Sequence, residues 1–254
     1  MSTLLAGTTA IVTGASSGIG AATAAALAAE GASVALIARR GDRLDALAAR
    51  IANQGGRALA IQADITAEAE ARDAVERAAR EFGRIDTVVN NAGLMLLGPL
   101  VDADASEWKR MLDLNVTALM NVSHAALPHL LRAAETGERH VADLVNISSV
   151  AGRVARSGAG AYNATKFAVG AFSEALRQEV TRRHVRVSIV EPGFVATELQ
   201  SHNRPEILAA MSARYQMDET LQADDIADAI RYIVTRRRNV AINELLIRPT
   251  EQEG

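Results

Sequence analysis

The sequence predicts an α/β domain, a doubly wound parallel sheet of about seven strands with helices on both faces, and two observations carry that expectation. Short apolar runs alternate with alanine-rich or amphipathic segments of helical length along nearly all of the 254 residues. A glycine-rich turn closes the first run, and other runs end in polar or glycine-containing turns at the strand ends where open α/β sheets gather their ligands. With 49% apolar residues and no shift in composition, residues 1–254 read as one domain with one well-covered core.

Residues 8–13 form the first strand, and Gly14-Ala15-Ser16-Ser17-Gly18-Ile19-Gly20 leads from it into a helix over residues 21–30. A second strand at 33–38 completes a βαβ unit. Glycines permit such a turn and let backbone N–H groups approach a pyrophosphate at a helix start, where the dipole favours negative charge. A site that takes NAD usually places an acid at the end of the second strand to bind the ribose 2′-OH. Here Arg39 and Arg40 stand there, and two guanidiniums suit a 2′-phosphate.

The alternation continues with helices over 42–53 and 68–82 and strands over 57–61 and 85–89, the latter followed by the polar turn Asn90-Asn91-Ala92-Gly93. A long helix over 106–131 holds Asn115 in its middle, where its amide competes for backbone groups; it bends the helix, holds a water or is merely tolerated. A strand over 141–147 ends at Ser148-Ser149, and a helix over 161–183 leads to a strand over 185–190 closed by Glu191-Pro192-Gly193. Residues 194–217 break the rhythm, mixing Phe194, Val195, Leu199, Ile207, Leu208, Met211 and Tyr215 with polar spacers. A segment of that length beside the strand ends reads as a substrate-binding lid, with a surface helical hairpin as the alternative. A helix over 224–235 and a strand over 240–247 close the chain, and the basic run Arg236-Arg237-Arg238 follows that helix, where cations offset its dipole.

Tyr162 and Lys166 are four positions apart, on one face of their helix. Lowering a phenol from its ordinary pKa by ~3 units takes roughly 4 kcal/mol. One ammonium at ~4 Å supplies about that at an effective dielectric of ~20, so the pair suits general acid/base work on an alcohol or carbonyl. Ser149, thirteen residues earlier, reaches the same helix if residues 152–160 loop back.

Other chemistry is excluded or disfavoured. The chain has no cysteine, which removes disulfides, thiolate metal sites and a Cys nucleophile and fits a reducing cytoplasm. A net charge of -3 with charges spread along the chain leaves no footprint for nucleic acid. The start Met1-Ser2-Thr3-Leu4-Leu5 lacks the pattern of a secretory signal, and no apolar run reaches ~18 residues, so neither membrane nor metal is expected and the protein should be soluble and cytoplasmic.

Taken in order, Thr13-Gly-Ala-Ser-Ser-Gly-Ile-Gly20, Asp64, Asn90-Asn-Ala-Gly93, Asn115, Asn146-Ile-Ser-Ser149, Tyr162-Asn-Ala-Thr-Lys166 and Pro192-Gly193 resemble the motifs of the short-chain dehydrogenase/reductase family. The resemblance implies a single Rossmann-type domain and a catalytic tetrad of Asn115, Ser149, Tyr162 and Lys166. Tyr162 would exchange the proton and Ser149 hold the substrate oxygen; Lys166 would bind the nicotinamide ribose and depress the tyrosine pKa, and Asn115 would fix a relay water. Gly14, Ser16, Ser17, Gly18, Ile19 and Gly20 would cradle the cofactor. Arg39 takes the place of the Asp of NAD-using members, with Arg40 beside it, and Asp64, Asn91, Pro192, Gly193 and Thr197 complete an NADP(H) site. Ser17 departs from the basic residue that many NADP-using members carry.

Stretches outside those motifs, among them Ala38-Arg-Arg40, Met95-Leu-Leu-Gly-Pro99, Thr197-Glu-Leu199 and Ile247-Arg-Pro-Thr250, look like NADP-dependent 3-hydroxy-acid and serine dehydrogenases. They look more like the clavulanic acid dehydrogenases of antibiotic-producing bacteria, which implies a place in antibiotic biosynthesis. A homotetramer packed through its two long helices is implied as well. The expected substrate is a small aldehyde or ketone bearing a carboxylate, against an apolar wall of Leu94, Met95 and Leu96, with Arg153 gripping the anion and Arg156 and His202 as further candidates. The rival from another class is a dinucleotide-binding redox sensor without turnover, which has no need of Tyr162, Lys166 and Ser149 together. An epimerase or dehydratase is set aside on chain length and glycine spacing.

Overall fold

A computed structural model describes residues 3–253 apart from residue 102 and residues 215–218, and the side chains of residues 212–214 also lie outside the description. The strands are β1 (Thr9–Thr13), β2 (Ser33–Ala38), β3 (Arg57–Gln62), β4 (Thr87–Asn90), β5 (Ala142–Ile147), β6 (Val185–Pro192) and β7 (Glu244–Ile247). They form one parallel sheet in the order β3-β2-β1-β4-β5-β6-β7. The helices are α1 (Gly18–Ala29), α2 (Gly41–Asn53), α3 (Glu68–Phe82), α4 (Ala105–Leu112), α5 (Ala118–Thr136), α6 (Gly160–Val180), α7 (Pro205–Arg214) and α8 (Ala223–Val234).

Strands covered on both faces need apolar side chains at consecutive positions, and the sheet divides them by the alternation of the pleat. Ile11, Ile37, Val88, Leu144 and Val187 join the core shared with α3, α5 and α6. Val12, Leu36, Val89 and Val145, each next to one of these, and Val190, three positions past Val187, join the opposite core with α1, α2 and α8. Strand order reverses at β1 and β4, which opens a crevice beyond their carboxyl ends.

Two segments differ from expectation. The single helix over 106–131 is two helices joined by a π-helical turn at Asp113–Thr117, with Asn115 inside it, and the second helix runs on to Thr136. In that turn the Asn115 side-chain amide bonds the Leu94 backbone in both directions, a contact that favours a local departure from regular helix. The last strand is shorter than 240–247: the Val240 N–H turns back to Arg237 O at 2.9 Å, and pairing with β6 begins at Glu244. Within 194–217, Val195 bridges Leu221, a 3-10 turn spans Glu198–His202 and α7 follows; Tyr215 and residues 216 and 217 lie outside the described residues. No helix among the described residues is long and apolar enough to cross a membrane.

At the amino ends of β4, β5 and β6 the sheet buries charge. Arg186 donates to both Asp143 oxygens at 2.7 and 2.8 Å, and its Nη1 also meets Val240 O at 2.7 Å and Arg236 O at 3.1 Å. Arg139 Nη1 lies 3.7 Å from Asp143, and Asp86 accepts from Thr9 N at 2.9 Å and from Arg84. This is the end of the sheet away from the crevice.

Candidate active site

The turn after β1 is held by its glycines and by the turn after β4. Gly14 and Gly18 adopt φ of +65° and +52°, which side chains rarely tolerate, and a Cβ on Gly20 would stand 2.4 Å from Gly14 O. Thr13 Oγ1 accepts the N–H groups of Asn91 and Ala92 at 3.0 and 3.1 Å, and Asn91 Nδ2 donates to Thr13 O at 2.9 Å. Ser17 precedes α1 without capping it through its side chain, so the amides of the first turn remain available to an anion.

A cavity of about 440 Å³ lies over these strand ends. Gly14, Ser16, Ser17, Gly18, Ile19, Arg39, Arg40, Asp64 and Asn91 line it together with Met95, Ser149, Tyr162, Lys166, Pro192, Gly193 and Thr197. Gly20 and Asn115 are not on its wall. Gly20 packs under the turn, and Asn115, 1% exposed, accepts from Leu94 N at 2.7 Å and donates to Leu94 O at 2.8 Å and Thr165 Oγ1 at 3.1 Å. Asn115 thereby positions the start of the apolar wall.

The cations at the end of β2 are unequal. Arg40 lies across the glycine turn, donating to Ser16 Oγ from Nε and Nη2 at 3.1 and 2.9 Å, to Ser17 Oγ at 2.7 Å and to Glu198 at 2.8 Å. Its guanidinium thus lies beside Ser17, over the glycine turn. Burial raises the Asp64 carboxyl, but bonds from the Thr66 hydroxyl and N–H, with the Arg39 charge, outweigh it and leave the group below its ordinary value. A glycine cradle, an open helix start and these arginines fit a dinucleotide.

Ser149, Tyr162 and Lys166 come together from the end of β5 and the first turns of α6. Tyr162 and Lys166 are each 6% exposed, and Ser149 is near enough to the phenol to favour its ionised form, while its hydroxyl donates to Pro192 O at 3.4 Å and accepts from Ala151 N at 3.1 Å. The expected depression of the phenol is corrected: burial pushes Tyr162 up to about 12, opposed only by Ser149. Lys166 Nζ stands 5.8 Å from the ring centroid and donates to Ile147 O at 2.8 Å, and burial pushes it down to about 8. Desolvation disfavours both charged forms, and at this depth it outweighs the attraction that helical spacing suggests.

Arg153 is also corrected. Its Nε and Nη2 donate to Glu191 at 2.8 and 2.5 Å, Nη2 also bonds Glu244, and the side chain does not line the cavity. Glu191 at the end of β6 and Glu244 at the start of β7 draw the guanidinium sideways across the strand ends. Arg156 does line the cavity, half-buried, and its guanidinium has no hydrogen bond or ion pair among the described residues. His202 reaches the wall as well. On the apolar side Leu94, Met95 and Leu97 face the cavity, whereas Leu96 packs with Met111 and Tyr162 instead. Sequence reasoning missed Gln252, whose Oε1 accepts Phe194 N at 2.9 Å and which joins the wall from the chain's end. No local signal marks it.

A dinucleotide cradle beside a buried phenol and ammonium defines an oxidoreductase of the dinucleotide-binding class. The chain belongs to the short chain dehydrogenase family, matched over residues 8–207. It is 37% identical over 243 residues to sulfoacetaldehyde reductase 2 of Chromohalobacter salexigens, covering 95% of this chain and 94% of that protein. Glycine betaine reductase ATRR of Emericella nidulans is 37% identical over 248 residues, which are 98% of this chain but only 19% of that longer protein. Among solved structures, the closed form of serine dehydrogenase complexed with NADP+ superposes with a TM-score of 0.87 at 29% identity, covering 97% of this chain and 96% of that one. A short chain dehydrogenase from Burkholderia cenocepacia in complex with NADP gives 0.83 at 35% identity, covering 96% and 97%.

Proposed function

We propose that the chain is an NADP(H)-dependent reductase of a small aldehyde or ketone that carries an acidic group. The observation that carries this reading is one cavity with Arg39 and Arg40 at the end of β2, the Ser149–Tyr162 pair, and Arg156 with no partner among the described residues. The reduced nicotinamide supplies the hydride. Ser149 holds the carbonyl oxygen and Tyr162 gives it the proton, while Lys166 binds the nicotinamide ribose and Asn115 supports the apolar wall through Leu94. The described part of the segment over 194–217 serves as the lid, with Thr197, Leu199, His202 and Met211 lining the cavity.

A half-buried guanidinium with no partner among the described residues favours an anion that arrives with the substrate, since desolvating it unpaired is costly. Sulfoacetaldehyde reductase and serine dehydrogenase are both named for compounds with an anionic group, which supports the same reading. The test follows NADPH and NADH oxidation over a panel of aldehydes and ketones offered as acids and as neutral esters. NADPH and the acids are the expected preference. Arg156→Ala should raise KM for the acid by about 30-fold, the equivalent of ~2 kcal/mol for a lost charge-assisted bond, and barely change it for the ester. Equal effects on both would remove Arg156 from substrate recognition.

We further propose a homotetramer, with exposed Leu112, Met120 and Phe167 as the apolar side chains that neighbouring subunits cover. A monomeric mass by sedimentation at micromolar concentration would refute it.

A further inference from the structure

We infer that Glu198 is a built-in competitor for the cofactor's 2′-phosphate, an inference that rests on the NADP(H) reading above. The Glu198 carboxylate bridges Arg40 Nη1 at 2.8 Å and Arg43 Nη1 at 2.7 Å, one oxygen to each. These guanidiniums stand at the end of β2 and in the first turn of α2, and a 2′-phosphate with several acceptor oxygens would bridge them in the same way. The carboxylate comes from 158 residues along the chain, in the turn directly after the cavity residue Thr197. That turn leans on the glycine loop, for a Cβ on Gly18 would meet Thr197 Cγ2 at 3.2 Å.

Side-chain exposures of 42% for Arg40, 44% for Arg43 and 46% for Glu198 make these pairs individually weak. They hold the arginines in place until a phosphate arrives, and a phosphate with greater charge displaces them. Whether Glu198 leaves or stays beside the phosphate, its charge opposes binding of the phosphorylated dinucleotide and not of the unphosphorylated one. Its release would also free the start of the segment over 194–217, so cofactor binding and that segment are linked through a single carboxylate.

The experiment measures equilibrium binding of NADPH, NADH and 2′,5′-ADP to the full chain by fluorescence and calorimetry. Glu198→Gln should tighten NADPH and 2′,5′-ADP by about 3- to 10-fold and leave NADH within about twofold. Glu206→Gln, an equal charge change on α7, should alter none of them. Unchanged or weaker NADPH binding in Glu198→Gln overturns the inference, as does equal tightening of NADH or an equal effect of Glu206→Gln. A parent that binds NADPH no better than NADH overturns the NADP(H) reading and this inference with it. A parent that prefers NADPH while Glu198→Gln does nothing overturns only the second.

Discussion

Tyr162→Phe is expected to lower kcat for carbonyl reduction by about 10³-fold or more, with NADPH affinity within about twofold of the parent. The ring is 6% exposed and packs with Leu94, Leu96 and Met111, so phenylalanine keeps the packing and loses only the hydroxyl. With the phenol pushed up to about 12, it stays protonated throughout the neutral range and is poised to donate in the reductive direction. Lys166, pushed down to about 8 by burial, loses its proton first as pH rises. Reduction by the parent should therefore fall above about pH 8, on a limb that belongs to the lysine. Single-turnover and steady-state rates, with NADPH binding measured beside them, check the assignment. Variant turnover within tenfold of the parent would remove Tyr162 from proton transfer.

Periodicity was enough to find the sheet and its helices because consecutive residues such as Ile11 and Val12 must both be apolar when both faces of a strand are covered. The glycine turn was legible for a similar reason: at Gly14, Gly18 and Gly20 either backbone conformation or space forbids a side chain, and that constraint is written locally. Long-range electrostatics were not. The partners that capture Arg153 lie 38 and 91 residues away, and no spacing rule connects them. Helical spacing correctly put Lys166 beside Tyr162 but carried no measure of depth, and depth decides the sign of the phenol's shift. Asn115 was legible as a misfit in a helix; what it grips, the Leu94 backbone, comes from the turn after β4 and needed the fold.

The second large effect lies at the far end of the sheet, where Asp143→Ala is expected to destabilise the fold by about 3–5 kcal/mol. Asp143 is fully buried and answers Arg186, itself 6% exposed, with both oxygens, while Arg139 stands 3.7 Å away. Removing the carboxylate strands two guanidiniums that have no other carboxylate bonded to them among the described residues, with Asp86 acting on Arg139 only through space. Arg186 keeps its carbonyl partners at Val240 and Arg236, which satisfy donors but not charge, and Arg139 Nη1 already lacks a hydrogen bond. A loss of that size is a large part of the ~5–15 kcal/mol that holds an ordinary domain together. Urea unfolding at fixed protein concentration should show a lower midpoint with an unchanged slope. Removing Glu135, which pairs with Arg183 at exposures of 57% and 53%, should barely move it. Because the cluster sits at the amino ends of the strands and the cavity at their carboxyl ends, the folded fraction of Asp143→Ala should keep the parent's kcat at low temperature. A midpoint shift no larger than that of the Glu135 variant would mean that water reaches the guanidiniums and that the cluster is not the closed charge system its geometry describes.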